Sequence, residues 1–346
     1  AAAAQTDADQ ALLNAAAAQA TADAAIPDAT FTAAGELIYG TASGTYSVLP
    51  IGSADQLLTV SGGLPVWSNA PVQLQGYTCT ATPFNTALGQ NAGDSITTGV
   101  SNTILGFNAG TAITGGSSNT IVGVCAGDAF VGASNNTAIG TNALGTNVSG
   151  TSNVAIGSSS LQTSLCCQNT AVGNGSGCSV TIGTGHVYVG FLAGANSTSA
   201  CNNTAVGWNA LSQSTAGSTT AVGYTALRNN TTGTQNTAVG FSALSTSTSA
   251  SNNTALGYRA GVAISGGSNN TLVGTNTGAS IGTGSSNTLV GNSSGSAITT
   301  GACNTLVGGY TGTTTLTNNI VLSDGAGTIR FQSNASGAWS PDGTNF

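Results

Sequence analysis

Between Asn85 and about residue 333, polar and apolar positions follow an order that returns every 17 residues. Copies start at 85, 102, 119, 136, 153, 169, 186, 203, 219, 236, 253, 270, 287 and 304, with a degenerate copy at 319; eleven of the thirteen intervals between the first fourteen are 17 and two are 16. Numbered from its start, each copy has Asn at position 1 in twelve of fourteen cases, His186 and Thr219 being the exceptions. Position 4 is always aliphatic, position 5 always Gly, position 8 Ala, Ser or Thr, and position 9 Gly or Leu. Such a period marks stacked repeats, in which each unit buries its apolar side against its neighbours.

Asn-Thr-Ala-Val-Gly reads as a short strand closed by a glycine corner. Positions 2 and 4 share one face of that strand and position 3 the other. Because position 3 is usually Ala, Ile or Leu, both faces are apolar, and we expect the face bearing Ile104 and Leu272 to be covered by neighbouring chains. The regular Thr column at position 2 would then point inward. A second strand is expected around an apolar position 12, as in Ile96, Ile113, Phe130, Ile264, Ile281 and Ile298. Fifteen turns at about 4.8 Å each give a stack of roughly 70 Å.

The preceding segments follow other periods. Residues 1–27 place Ala at every a position (Ala1, Ala8, Ala15, Ala22) and d position (Ala4, Ala11, Ala18, Ala25) of one heptad frame, predicting a thin coiled-coil stalk ended by Pro27. Residues 28–84 predict a small β connector with strands at Glu36–Tyr39, Tyr46–Ile51, Gln56–Val60 and Pro65–Ser68. The array then occupies 85–333, and 334–346 form a tail.

Composition sharpens this reading. Charged residues make up 4 % of 346, with three Arg, no Lys and a net charge of −7, so nucleic acid is excluded as a partner for want of counterion-releasing cations. Stacking accounts for the missing charge: like charges one turn apart would repel by about 1 kcal/mol per pair even in water, whereas Asn and Thr can form hydrogen-bonded ladders. Apolar runs are too short to insert in a membrane. The chain starts at Ala1 without Met, as expected of a processed product.

The unit Asn-Thr-Ala-Val-Gly-x-x-Ala-Leu, intact at 203–211 and 236–244, resembles the repeat of trimeric autotransporter adhesin heads. That resemblance implies a parallel β-roll of three intertwined chains. The flanks are similar to shaft and connector segments of viral (phage-type) tail or capsid fibres: Ala-Gln-Ala-Thr-Ala-Asp-Ala-Ala (18–25), residues 35–52 and Gln-Leu-Leu-Thr-Val-Ser-Gly-Gly-Leu-Pro-Val-Trp (56–67). Residues 318–331 are similar to the segment that such fibres carry before a C-terminal chaperone. These resemblances imply an extracellular fibre at a virion surface, attached to the virion or a tail baseplate through its N-terminal side. The alternative is the head of a bacterial adhesin at a cell surface.

Candidate chemistry is sparse. Position 6 is aromatic in five successive turns, Phe191, Trp208, Tyr224, Phe241 and Tyr258, with Phe107 apart in the same column. With Arg228 and Arg259 nearby, this column is the candidate receptor site for a host surface glycan, though a seal between chains is the reading it favours. Asp94 and Asp128, two turns apart at position 10, have a spacing close to that of glycosidase carboxyl pairs but read as solvated corner residues. His186, beside Tyr188, has no acid or nucleophile placed with it by the sequence and reads as a substituted ladder residue. The seven Cys lack a CxxC pair and suit small buried thiols, with no metal site. Asn-x-Ser/Thr sequons such as those at Asn135, Asn202 and Asn230 follow from composition. An ice-binding solenoid is set aside because the Thr column is expected to face inward.

The sequence therefore predicts an all-β parallel solenoid of about fifteen 17-residue turns, homotrimeric, with a short N-terminal coiled coil, no cofactor and no enzymatic activity. It would act as a rigid spacer and attachment element.

Overall fold

A computed structural model describes residues 10–18, 36–42, 45–53, 56–68 and 84–342. The chain divides into two units, Ala1–Leu74 and Gln75–Phe346.

In the first unit, residues 10–18 form a helix, which by itself shows no coiled coil; the rest of the expected stalk, Pro27 included, lies outside the described residues. Two antiparallel hairpins follow, β1 (Leu37–Ala42) with β2 (Thr45–Leu49) and β3 (Leu57–Ser61) with β4 (Leu64–Ser68), each edge within a few residues of the expected strand. Gly62 and Gly63 make the second turn with φ of 61° and 82°, the paired positive values that match the twist of a two-residue hairpin. Trp67 donates its indole N–H to the Pro50 carbonyl at 2.6 Å and lies flat on Gly52, where a Cβ would strike the ring.

The second unit is a parallel solenoid. Fourteen three-residue strands, β5 (Thr86–Leu88) through β18 (Thr305–Val307), sit at positions 2 to 4 of the fourteen repeats. Each pairs with the next in register, position on position. The degenerate fifteenth copy is only partly a turn. Its strand β19 (Ile320–Ser323) continues the parallel ladder and then reverses into β20 (Ile329–Ser333) and β21 (Trp339–Ser340), which close the sheet antiparallel. Asp324 secures the reversal, accepting from the backbone N–H of Ala326 and Thr328 and from Arg330 at 2.7 Å.

No second strand forms at position 12. Positions 7, 9 and 17 all take left-handed backbone, as at Asn209, Leu211 and Asn202 with φ of 52°, 53° and 58°, so the chain turns on either side of position 12, and the segment between is itself turns and bends. The chain coils tightly instead, and successive turns are tied by backbone hydrogen bonds outside the strand as well, such as Asn209 N–H to Phe191 O at 2.9 Å. The corner glycine has a double cause. Gly223 has φ of 137°, and a Cβ there would lie 2.4 Å from the Gly240 carbonyl of the next turn.

The strand faces the opposite way from expectation. Position 3 is inside its own chain: Ile104 and Leu272 are 1 % and 0 % exposed, while the strand residues on either side of them are exposed or half-buried. The cause is core volume shared among positions 3, 9 and 12. Turns with Gly at position 9 fill the space from the other two, as with Leu272, Gly278 and Ile281, and a Cβ on Gly278 would meet both neighbours. Turns with Leu at position 9 have Ala at 3 and Ser or Asn at 12, as with Ala238, Leu244 and Ser247. Two turns depart from this: in that of His186, Tyr188 at position 3 is large enough to cover Gly194 and position 12 shrinks to Ser197, and in that of Asn304 position 12 is the exposed Thr315. A chain that fills its own turns in this way needs no neighbour to cover position 3.

Beside this apolar column runs the buried asparagine ladder. In each regular turn the position 1 amide donates to the carbonyl 14 residues on, and its oxygen accepts from the backbone and side chain of the next Asn. Thr219 breaks the ladder, and Asn230 from position 12 of the same turn takes over its missing bond, donating to Gly233 O at 2.8 Å.

Candidate functional site

Turning position 3 inward puts positions 2 and 4 on the outside. The result is a strip of fourteen stacked strands carrying one Thr column and one Val, Leu or Ile column, without a charged side chain in either. Twelve of fourteen residues at position 2 are Thr, Val154 and Val187 being the others. Leu105 and Leu256 at position 4 are 43 % and 49 % exposed. At about 4.8 Å per strand and roughly 10 Å across, the strip covers on the order of 700 Å². Its aliphatic half is an apolar stripe, exposed or half-buried at every turn, that runs the length of the stack.

The aromatic column lies beside it, past the glycine corner. Phe191, Trp208, Tyr224, Phe241 and Tyr258 stack in one file, with centroid separations of 6.1, 4.8, 5.0 and 5.3 Å and interplanar angles of 16°, 7°, 6° and 15°. The rings cover one another's faces, so mostly their edges point outward, and each is 40–47 % exposed. Phe107 is 45 % exposed in the same column. Arg259 follows Tyr258 directly, whereas Arg228 lies at position 10, beyond the turn through Thr225 and Leu227; both arginines are exposed. The five rings are thus brought together, and Arg228 belongs to another part of the turn.

His186 is buried as a member of the asparagine ladder. Its Nε2–H donates to Ala200 O at 2.8 Å, while Nδ1 accepts from the Tyr188 hydroxyl at 2.9 Å and from the Asn203 backbone N–H at 3.3 Å. One neutral tautomer therefore reproduces both functions of the missing amide. Burial lowers the His186 pKa below its ordinary 6.5 and pushes the Tyr188 hydroxyl up to about 12. These bonds are all structural.

The remaining candidates stay apart. Asp94 is exposed, while partial burial raises the Asp128 carboxyl against two backbone N–H bonds, at Asp128 and Ala129, that pull it down. Six cysteines are free thiols; five are half-buried and Cys303 is exposed, so the small side chain fits the turn surface rather than the core, and Cys79 lies outside the described residues. Among the described residues no group of three His, Cys, Asp or Glu could hold a metal ion, and no helix is long and apolar enough to cross a membrane.

The feature that sequence reasoning missed is the outward strip itself. Its signal was present in the size exchange among positions 3, 9 and 12, which only residues sharing one core can show. Comparison with known proteins found no match among family models, curated proteins or solved structures.

Proposed function

We propose that this chain is a structural fibre segment of a virus particle, built from three parallel copies that bury their outward strand strips against one another. The observation that carries the proposal is the uninterrupted aliphatic column at position 4, flanked by uncharged Thr. The strip, on the order of 700 Å² per copy and divided between two neighbours in a trimer, offers an uncharged contact along the whole stack. Parallel copies in register bring like columns together with no charge to repel. The similarity of the flanks to viral fibre shafts favours a virion over the alternative, a bacterial adhesin head. The array supplies a stiff spacer of roughly 70 Å, and host glycan contact is a further role that it could carry on its surface. Mass photometry of the purified chain, with immunogold labelling of particles from the same host, tests the reading. Trimers and labelled virions support it, and monomers or unlabelled virions refute it.

Ice binding is the second reading, and the orientation of the strand favours it more than the sequence did: the Thr column faces outward. Bulky aliphatic side chains throughout the adjoining column fit protein contact better than ordered water. Thermal hysteresis from a monomeric sample would reverse that preference.

A further inference from the structure

The asparagine ladder is not uniform along the stack. Side-chain amides bond directly to one another in two runs, from Asn85 to Asn153 and from Asn236 to Asn304. Between the runs, among the described residues, Asn169, His186, Asn203 and Thr219 reach the preceding rung through their backbone N–H alone. Both 16-residue turns, 153–168 and 203–218, fall in this gap. His186 opens the seventh of the fourteen turns, inside the gap. Across the interface between that turn and the next, the aromatic file is at its widest, with Phe191 and Trp208 at 6.1 Å against 4.8, 5.0 and 5.3 Å for the other pairs.

We propose that the turn of His186 is an acid-sensitive joint, at which uptake of a proton loosens the stack while the two amide-linked runs stay closed. The inference goes beyond the fibre reading and does not depend on how many copies assemble. An asparagine at position 1 keeps a donor and an acceptor at any pH, whereas an imidazole keeps both only while it is neutral. With Nε2–H committed to Ala200 O, Nδ1 accepts from two donors, the Tyr188 hydroxyl and the Asn203 backbone N–H. A proton on Nδ1 turns that acceptor into a donor. The Tyr188 hydroxyl can rotate to receive it, but the Asn203 N–H cannot, and it is left buried against a like group. The bond lost is the ladder's own tie between this turn and its successor. No carboxylate is at hand to offset the charge. Cys178, Tyr188 and Cys201 are the other titratable groups in the turns from 169 to 218, and no charged side chain lies between Asp128 and Arg228. The closed turn therefore excludes the proton and the open turn takes it up. As pH falls below 6.5, opening should become easier by up to about tenfold per pH unit, until the depressed value of the buried ring is reached. Because a solenoid couples only neighbouring turns, the loosening stays local.

Native-state hydrogen exchange of the full chain, read by mass spectrometry at about pH 7.5 and about pH 5 and corrected for the intrinsic pH dependence of amide exchange, tests the joint. Peptides from 169–218 should lose protection about tenfold or more in acid, while those from 102–135 and 270–303 keep theirs. His186→Asn restores the residue used at this position by twelve of the fourteen turns, and His186→Gln, with a longer non-titrating amide, guards against a misfit beside Tyr188. Both variants should hold the protection of 169–218 at either pH. Acid loss spread evenly along the array, no acid loss in the parent, or the same loss in a folded variant overturns the proposal. Nitrogen-15 histidine labelling decides the matter even if neither variant folds, because the chain has a single His. A neutral ring with its proton on Nε2 at the higher pH, and a protonated signal that grows in step with the exchange of 169–218, is the expected result. A ring already protonated at the higher pH, or one that protonates without loss of protection, overturns the joint.

Discussion

Replacing Asn253 with Ala removes one rung from the asparagine ladder and leaves its neighbours in place. The side chain donates to Gly267 O at 3.0 Å, and its oxygen accepts from the Asn270 backbone N–H at 2.9 Å and the Asn270 amide at 3.0 Å. Two of the partners have alternatives. The Asn270 amide still reaches Gly284 O, and Asn236 still accepts from the Asn253 backbone. The Gly267 carbonyl and the Asn270 N–H have none, and both residues are buried. An orphaned buried group costs about 1–3 kcal/mol, so the variant should lose roughly 2–6 kcal/mol. Because a solenoid couples only neighbouring turns, the loss should be local. Native-state hydrogen exchange is the suitable assay, with Asn270 and the adjoining turns losing protection while turns near Asn102 keep theirs. A loss under about 0.5 kcal/mol, or one spread evenly along the array, would refute the reasoning.

Three further outcomes are expected. Gly278→Leu alone should destabilise by several kcal/mol through overlap with Leu272 and Ile281, and Leu272→Ala with Ile281→Ser in the same chain should recover much of it; thermal melting of the four combinations measures the coupling. Gly223→Ala should be among the most damaging single substitutions, about 3 kcal/mol or more in chemical denaturation, because strain and a backbone clash coincide. For His186, the folded pKa is lowered by burial, so the folded state binds fewer protons than the unfolded: its contribution is complete above pH 6.5 and declines as pH falls below that value toward the depressed folded pKa. His186→Asn should flatten the acid side of the stability profile, and an unchanged slope would count against the buried neutral tautomer.

The repeat phase, the corner glycine and the asparagine ladder were legible because each depends on one residue type at one position. The direction of the strand was not, since Thr-Ala-Val is compatible with either face inward until volume is considered across the whole turn. Leu244 with Ala238 and Ser247, against Gly278 with Leu272 and Ile281, resolves the choice: only side chains in a common core exchange size in that way. The absent second strand goes with turns at positions 7 and 9: position 9 is Gly in nine of fourteen copies, a turn signal the strand expectation passed over, whereas the left-handed position 7 accepts many residue types and gives none. The aromatic column and the stacking of its rings at the turn spacing were legible too, because in-register turns place one position above another.

The central claim is that position 3 builds the chain's own core while positions 2 and 4 join it to other copies, and adjacent residues of one strand test it most directly. Ala221→Asp and Val222→Asp place the same charge on opposite faces. Mass photometry alongside circular dichroism should find the parent near 99.6 kDa, three copies of the 33.2 kDa chain. Val222→Asp should yield folded particles of lower mass, and Ala221→Asp should lose the fold around its turn. A Val222→Asp chain that stays trimeric, or an Ala221→Asp chain that stays folded but dissociates, would contradict the account.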